Sequence, residues 1–280
     1  INLMAINLAT KFAPKVSDIM KHGRKTKSAT NQDWDWDGTN AIKVYTLTDP
    51  TMGDYTASGA NRYGSPDEVQ DTVQTWTLSR DRSWAKTIDK SNYQDTMMVR
   101  KPAQYLAQAT KNVLIPEIDT YVLAAINTAG ATANRDDIVA DGASSASNAY
   151  TNFLAINADI TNNEAPESNR IAFMTATYYN YLKQGGFVLD SDAGQRKLDS
   201  GVLGTVDGVK VVVVPSTRMP SNCDLIITHP SVTVAPEKLI DYTLHKNAPG
   251  ISGDLLEYRH RYDAFVDTNK VNAVGIHKTA

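Results

Sequence analysis

Apolar and polar residues alternate with a period of two in two stretches of the N-terminal third of the chain, and this pattern predicts two extended strands. The first predicted strand covers residues 42–47. The second runs from Val69 to Trp84, a length of roughly 50 Å for an extended chain. One of its faces carries Gln74, Trp76, Leu78, Arg80, Arg82 and Trp84.

A long loop joins these two strands. Residues 49–68 contain three glycines and two prolines, and the loop is longer than a compact hairpin needs. The whole segment from Asn40 to Ile88 has too little apolar surface for a core of its own. We therefore expect neighbouring copies to bury it, and the chain to be a subunit of an assembly.

The pattern becomes helical after Asp95. Pro102 is tolerated in a first turn, whereas Pro116 predicts a kink or break near Val113. Gly130 is predicted to end this helix, which would be about 40 Å long. The apolar positions recur every three to five residues at Leu106, Ala109, Val113, Ile118, Val122 and Ile126.

A second region of mixed α/β character follows a predicted surface linker at residues 136–147. Its Asp207-Gly208 pair predicts a tight turn, and Pro236 predicts the start of a helix through Leu239 and Ile240. Further helices are predicted around residues 150–160 and 178–182, the latter stopping at Gly185-Gly186. Strands are predicted at residues 171–174, 209–214, 225–228, 255–266 and 271–276.

Composition and charge narrow the class of protein. With 41% hydrophobic and 21% charged residues, the chain has the composition of a folded protein, and no apolar run is long enough to span a membrane. Residues 1–30 carry six Lys or Arg against Asp18, a charge of +5, which leaves −8 for the rest of a chain whose total is −3. We favour docking of this basic arm on a neighbouring subunit over direct readout of DNA sequence. A solvated tail would have the same composition.

Local motifs do not predict catalysis. Asp33 to Gly38 copies the first half of a calcium-binding loop, but Val44 stands where its bidentate Glu belongs. The five histidines lack the spacing of a zinc helix, and residues 250–253 lack that of a nucleophile elbow. Cys223, the single cysteine, predicts a small semi-buried residue and no intrachain disulfide. We predict no enzyme, no metal and no cofactor.

Aromatic and basic side chains on the extended segment predict a subunit interface, because Trp and Arg are enriched where proteins meet. The same set would also suit a stacking platform for single-stranded nucleic acid, which we favour less. The predicted interface residues are Trp34, Trp36, Tyr45, Trp76, Arg80, Arg82 and Trp84, with Lys11, Lys15 and Arg24 from the basic arm.

The order of these parts resembles the major capsid proteins of tailed bacteriophages, which share the Hong Kong 97-type fold. The matching phrases are AIKVYTLTDP, DTVQTWTLSRDRSWAKTID, KPAQYLAQATKNVLIPEIDTYVLAAI, GTVDGVKVVVVP and LLEYRHRYDAFVDTNKVNAVGIH. The resemblance implies an α+β fold in five segments. They are an N-terminal arm (1–39), an extended β-hairpin loop (40–88), a peripheral domain with a long spine helix (89–146), an axial αβ domain (147–246) and a return to the peripheral domain (247–280).

The resemblance also implies a function. The chain would be a major head protein that self-assembles as hexamers and pentamers into an icosahedral shell around double-stranded DNA, built in the bacterial cytoplasm and located in the virion. Its expected partners are itself, a separate scaffolding protein, a portal, a decoration protein and non-specifically contacted DNA, but no membrane. The alternatives are a cellular nanocompartment shell around a cargo protein, and a soluble hydrolase or carbohydrate-binding module.

Overall fold

The computed structural model describes residues 23–31, 34, 36, 40–91, 102–184 and 204–279. In these ranges the strands are β1 (Ala41–Leu47), β2 (Asp71–Thr77), β3 (Asp81–Asp89), β4 (Ile171–Thr175), β5 (Thr205–Val206), β6 (Val209–Val214), β7 (Cys223–Thr228), β8 (Thr233–Val234), β9 (Glu237–Lys246), β10 (Gly253–Tyr262), β11 (Phe265–Val266) and β12 (Gly275–Lys278). The α-helices are α1 (Pro102–Ala109), α2 (Ile115–Thr132), α3 (Ala149–Asn162) and α4 (Ala176–Gln184). Short 3-10 turns lie at Thr26–Ala29, Ser216–Arg218 and Thr268–Ala273.

Helices α1 and α2 are joined through a π-helical turn, Thr110–Leu114, so that residues 102–132 form one long helix. The predicted irregularity near Val113 is confirmed by this π-helical turn. Pro116 accounts for it, because proline lacks a backbone N–H and its ring clashes with the carbonyl of the preceding helical turn. The predicted end at Gly130 is wrong, since α2 ends at Thr132. Gly130 instead leaves room for the side chain of Ile276, because a Cβ at position 130 would lie 2.5 Å from Ile276 Cδ1.

A five-stranded sheet forms the centre of the second region, in the order β12-β7-β4-β6-β5. Its strands β4 and β6 are parallel and the other pairs are antiparallel. Phe173 and Ile226 pack with α2 on one side of the sheet, while Met174 and Leu225 pack with α3 and α4 on the other. Because both faces are covered, the middle strands β4 and β7 are buried at every position.

The predicted strand from Val69 to Trp84 is two strands. Residues 78–80 separate β2, which pairs with β1, from β3, which pairs with β10. The interruption is stabilised by Ser79, whose backbone N–H and hydroxyl both donate to Asp263 at 2.8 and 3.0 Å. A period-two pattern continues through such a break, so the alternation alone does not reveal it.

The helix predicted after Pro236 is wrong. Residues 237–246 form strand β9, which pairs along its length with β10 in a three-stranded sheet of order β3-β10-β9. The β-branched and aromatic residues Ile240, Tyr242 and Thr243 favour this extended conformation. The strand predicted at residues 255–266 is also divided, since β10 ends at Tyr262 and a separate short strand, β11, pairs with β8.

Strand pairing crosses the predicted domain boundaries. Strand β9 falls in the predicted axial segment but pairs with β10 of the predicted peripheral segment. Strand β12 falls in the predicted peripheral segment but is an edge of the five-stranded sheet, beside β7. Of the residues predicted as a strand at 271–276, the first three belong to a 3-10 turn, Thr268–Ala273, and the last two belong to β12.

We expect Gly253→Ala to lower the free energy of unfolding by about 1–3 kcal/mol, because overpacked sites cost this much. An added Cβ would overlap the backbone carbonyl of Ile88 and would also lie 2.8 Å from the Cα of Asp89. Backbone atoms cannot rotate away as a side chain can. Urea denaturation of the purified protein measures the change. Gly53→Ala is the matched control, since nothing lies within 4 Å of a Cβ there. Equal stability of the two variants would contradict the close approach of β3 and β10.

Candidate assembly interface

Strands β1 and β2 form an antiparallel ribbon with two different faces, in register from Ala41 opposite Thr77 to Leu47 opposite Asp71. One face lies on the body of the chain and buries Val44 and Trp76. The other face points to solvent and exposes Tyr45 by 63%, next to the exposed Leu47 and Val73. A solvent-facing patch of this kind on an ordered ribbon is a candidate for contact with another protein.

An aromatic stack attaches the ribbon to the body. Trp36 and Trp76 both stack on the ring of Phe265, at centroid distances of 5.4 and 5.8 Å. Trp34 meets Trp76 edge-on at a centroid distance of 5.6 Å. Trp36 and Trp76 are only 7% and 6% exposed. The chain itself therefore provides a packing surface for these two predicted interface residues.

The end of the ribbon remote from the body extends into solvent. Every residue from 47 to 73 is exposed, yet the backbone is organised by its own turns. Thr56 N–H donates to Arg62 O, Gly64 N–H donates to Asn61 O, and the rings of Tyr55 and Tyr63 meet edge-on at 5.0 Å. We call residues 48–70 the hairpin tip. The predicted long loop between the two strands is confirmed.

The base of the ribbon is held to the long helix by charge. Arg80 and Arg82 reach one oxygen of Glu117, Oε1, at 2.7 and 2.8 Å, and the hydroxyl of Tyr262 donates to the same oxygen at 3.0 Å. Burial of Glu117 disfavours its ionised form, but the hydrogen bonds from Arg80 and Tyr262 outweigh burial and hold its pKa below the usual value. The guanidinium of Arg80 also lies 4.4 Å from the ring centre of Tyr121.

Trp84 has a partner within the chain as well. Its ring stacks on Tyr258 at 5.7 Å and meets Tyr105 of α1 edge-on at 5.7 Å. The Trp and Arg residues predicted to share one outward strand face thus belong to two sheets and contact their own chain. Among the predicted interface residues that the structure describes, Tyr45 is exposed and Arg82 retains a side-chain exposure of 58%.

A buried carboxylate anchors the N-terminal arm on the long helix. Asp119 is fully buried and accepts from the backbone N–H groups of Lys25 and Thr26, at 3.0 and 3.1 Å, and from the Thr26 hydroxyl at 2.8 Å. The buried guanidinium of Arg218 donates to Asp119 at 2.9 Å and to the carbonyl of Gly23 at 3.0 Å. These bonds hold the start of residues 23–31 against α2. At the other end of this segment, the backbone N–H of Asn31 donates to the carbonyl of Thr233.

Arg24, a predicted interface residue, forms an ion pair with Glu237 at the start of β9. His260 Nε2 lies 3.6 Å from the other oxygen of Glu237. The His260 imidazole and the Arg24 guanidinium lower the pKa of Glu237 to about 2, although burial opposes them. Arg24 is thus used inside the chain. The other two basic interface residues, Lys11 and Lys15, lie outside the described residues.

A histidine and an aspartate form a close pair between the edge strand β12 and its neighbour β7. His277 Nδ1 lies 2.7 Å from Asp224, and its Nε2 accepts from Asn152 Nδ2 at 3.1 Å. Both ring nitrogens are therefore occupied, and the nearby Ser144 hydroxyl donates to Asp224 and not to the imidazole. This grouping ties β12 to β7 and α3 and lacks the contact between nucleophile and base that covalent catalysis uses.

Metal and thiol chemistry receive little support from the described ranges. No three His, Cys, Asp or Glu side chains there come together as metal ligands. The carboxylates of the calcium-like loop, Asp33, Asp35 and Asp37, lie outside those ranges. Cys223 is buried, and burial raises the pKa of its thiol to about 12, so it is an unreactive thiol. None of the helices described is long and apolar enough to cross a bilayer.

Four charged residues that hold the arm and the ribbon in place were not among the predicted site residues: Glu117, Asp119, Arg218 and Asp263. Asp119 did carry a signal, because it stands between Ile118 and Val122 on the apolar side of a helix where a charge needs a buried partner. Its partners Lys25 and Arg218 are 94 and 99 residues away, so the pairing itself has no sequence signature.

Comparison with known proteins identifies the fold. No family model and no curated protein matches the chain, but solved structures match it over nearly its whole length. The fold is that of phage capsid subunits, and the predicted fold class is confirmed.

Three of these structures give the extent of the match. A structure from Mycobacterium phage Che8 has a TM-score of 0.77 at 17% identity, with 97% of both chains covered. The mature capsid of bacteriophage PhiM1 has a TM-score of 0.75 at 13% identity over 97% of this chain and 91% of that one. The capsid of cyanophage P-SCSP1u has a TM-score of 0.75 at 14% identity over 97% and 93%.

We expect Asp119→Ala to destabilise the subunit by about 3–5 kcal/mol, because it leaves the Arg218 guanidinium buried without its anion. The arm should also detach, and trypsin should then cut after Arg24, Lys25 and Lys27 at a faster rate. Asp119→Asn, which keeps an acceptor, should show a smaller loss. Denaturation and timed proteolysis measure both effects. Asp54→Ala in the exposed hairpin tip is the control and should change neither. Unchanged cleavage of the arm in Asp119→Ala would refute the anchoring role.

We expect the stabilisation by Glu237 to depend on pH. Its folded pKa, about 2, lies below the ordinary value of 4.5, so its contribution is complete above pH 4.5 and is lost as pH falls toward 2. Glu237→Gln should cost about 1–2 kcal/mol at pH 7, since water screens the partly exposed pair, and nothing near pH 2. Denaturation at pH 7, 4 and 2.5 measures the difference. The exposed Glu257→Gln is the control. A penalty for Glu237→Gln that is independent of pH would contradict this account.

Proposed function

We propose that the chain is the major capsid protein of a tailed bacteriophage. It self-assembles as hexamers and pentamers into an icosahedral shell that encloses double-stranded DNA. The observation that carries this proposal is the agreement of its fold, over 97% of its length, with structures described as a mature phage capsid and a cyanophage capsid. Its role is structural and not catalytic.

The hairpin supports this role physically. An isolated two-stranded ribbon is marginally stable in water, and here residues 47–73 are exposed along their whole length. Such a ribbon gains buried surface when other copies surround it. A closed shell repeats each contact many times, so modest interfaces combine into a stable particle.

The remaining expectations belong to the same proposal. The protein is located in the virion and assembles in the bacterial cytoplasm, with a scaffolding protein, a portal and a decoration protein as partners and DNA contacted through charge. Tyr45 and Arg82 support the interface hypothesis, because both are exposed beside the ribbon. Lys11 and Lys15 are proposed for neighbour or DNA contact on their charge alone. A nanocompartment shell is not favoured, because the matched structures named above come from phages.

Negative-stain electron microscopy of the purified protein tests the proposal, and we expect closed shells that contain nucleic acid when isolated from phage. A variant in which an Asn-Gly turn replaces residues 49–69 should remain folded, because every residue removed is exposed. We expect it to lose at least ten-fold in shell yield. Only a 30.6 kDa species in size-exclusion chromatography of the intact protein, at every concentration and salt tried, would overturn the proposal.

A further inference from the structure

Strand β9 forms an exposed edge of the β3-β10-β9 sheet. Among the described residues it pairs with β10 alone, so its outer side faces no described strand. Seven of its ten residues are exposed. A long, exposed edge strand with apolar side chains is a template for pairing with a further strand, and folded proteins usually cover such an edge. An added strand is therefore the partner that this edge is suited to bind.

Three large apolar side chains of β9 are exposed, and two of them lie on one side of the sheet. Ile240 and Leu244 are 61% and 36% exposed, and strand register places them opposite the buried His260 and Leu256. Leu239 lies on the other side, because neighbouring residues of a strand alternate. An added strand would extend the buried layer if its own apolar side chains lay beside Ile240 and Leu244.

The N-terminal arm meets the body of the chain at the start of this edge. Arg24 forms an ion pair with Glu237, the first residue of β9, and the carbonyl of Gly23 accepts from Arg218. Residues 1–22 lie outside the described ranges and join the arm at this point. A segment that continued from Gly23 along β9 would run antiparallel to it, because its residue numbers fall as those of β9 rise.

The sequence of residues 4–13 has the pattern of such a strand. Its ten residues equal β9 in length, and its even positions are apolar apart from Thr10. Alternation with period two is typical of a strand with one covered face, and Pro14 would end the pairing because it has no backbone N–H. The apolar even positions are Met4, Ile6, Leu8 and Phe12. Residues 14–22 span up to roughly 30 Å, which is enough for the turn back to Gly23.

One register suits the side chains of both strands, since opposing residues of an antiparallel pair lie on the same side of the sheet. It joins two apolar pairs and one pair of opposite charges. These pairs are Phe12 with Ile240, Leu8 with Leu244 and Lys11 with Asp241. A shift by two residues would place Thr10 or Pro14 opposite Ile240. A shift by one residue would turn the apolar positions to the other side.

We propose that residues 4–13 add to β9 of the same copy as the fourth strand of the β3-β10-β9 sheet. Backbone hydrogen bonds attach the segment, and its alternate side chains set the register. The same copy is the occupant because the arm is already fixed to it, through Arg24 on Glu237 and Thr26 on Asp119. This tether gives the segment an effective concentration on the order of millimolar at β9, which favours it over a segment from another copy.

The added strand changes the use of two surfaces. The outer side of β9 is removed from edge-to-edge pairing between copies, which is a route to aggregation. Lys11 is used within its own chain, beside an Asp241 that also lies opposite Arg259. Lys15 follows the strand and remains for contact with a neighbour or with DNA.

Disulfide trapping tests the strand and its register. Ala9 lies opposite Thr243 in the proposed pairing, and neither residue belongs to the three pairs that set the register. We expect Ala9→Cys with Thr243→Cys, under mild oxidation, to form an intrachain disulfide at least about ten-fold faster than Ala9→Cys with Thr87→Cys. Thr87 is exposed on the same side of the sheet but lies on β3, roughly 14 Å or three strand spacings from the added strand. Cys223 is buried and does not compete.

Non-reducing gels and peptide mapping identify the product. Equal rates for the two variants would refute the added strand, because an arm that does not pair with β9 would reach both positions alike. Disulfide-linked dimers of the Thr243→Cys variant, in place of the intrachain product, would show that the strand comes from another copy and would overturn the assignment to the same chain.

Limited proteolysis tests the same pairing without cysteines. Chymotrypsin cuts accessible chain after Phe12, and pairing with β9 should slow this cleavage. We expect Ile240→Asp to speed it at least about five-fold, because a charge replaces the apolar partner of Phe12. Leu239→Asp, on the other side of β9, is the matched control, and thermal unfolding checks that both variants are folded. Equal cleavage of the two variants would contradict the register. Neither measurement requires shells, so a negative result would leave the proposed function intact.

Discussion

A carboxylate buried on the inner side of a helix must be matched by donors from elsewhere in the chain, and in this subunit Asp119 sets that requirement. The donors come from the arm and from Arg218, so three distant parts of the chain are joined at one turn of α2. Glu117, two residues earlier, binds the base of the hairpin through Arg80 and Arg82. The first turns of α2 thus determine where both extended parts leave the body.

The arm and the hairpin are attached firmly at their bases, whereas the rest of the hairpin is exposed. The bases of the arm and the hairpin are held by buried or part-buried ionic bonds and by the Trp36, Phe265 and Trp76 stack. Further along the ribbon, Asn269 Nδ2 donates to the Thr46 hydroxyl, and residues 47–73 beyond it are exposed to solvent. Helix α2 also packs on the five-stranded sheet through Ile118, Val122 and Ile126, so the attachments are fixed to the largest core of the chain. An assembly that reuses one subunit in many places needs such a defined direction of its projecting parts.

Local patterns in the sequence predicted most of the elements, and the long-range pairings account for what they missed. Alternation located β1, a short apolar run located β4, the apolar spacing located α2 and α3, and Pro116 located the irregular turn. The same alternation gave no sign that residues 78–80 divide β2 from β3, because the division depends on Asp263 far along the chain. The Trp and Arg residues were predicted to contact another subunit, and the structure places them in contact with their own chain. Composition cannot tell whether such a contact is with the same chain or another. Pro236 was misleading because proline is compatible with the start of a helix and the start of a strand alike.

The order of the exposed hairpin has an energetic consequence for association. A disordered loop of this length would lose conformational entropy when a neighbour bound it, and that loss would subtract from the affinity. Here β1–β2 pairing, the turns around Asn61 and the Tyr55 and Tyr63 contact organise the backbone in the isolated subunit. The hairpin therefore loses less conformational entropy when a neighbour binds it, so even a small apolar and electrostatic contact can give a favourable binding free energy. In the proposed shell each contact would be weak, so a misplaced subunit could dissociate before its neighbours enclosed it.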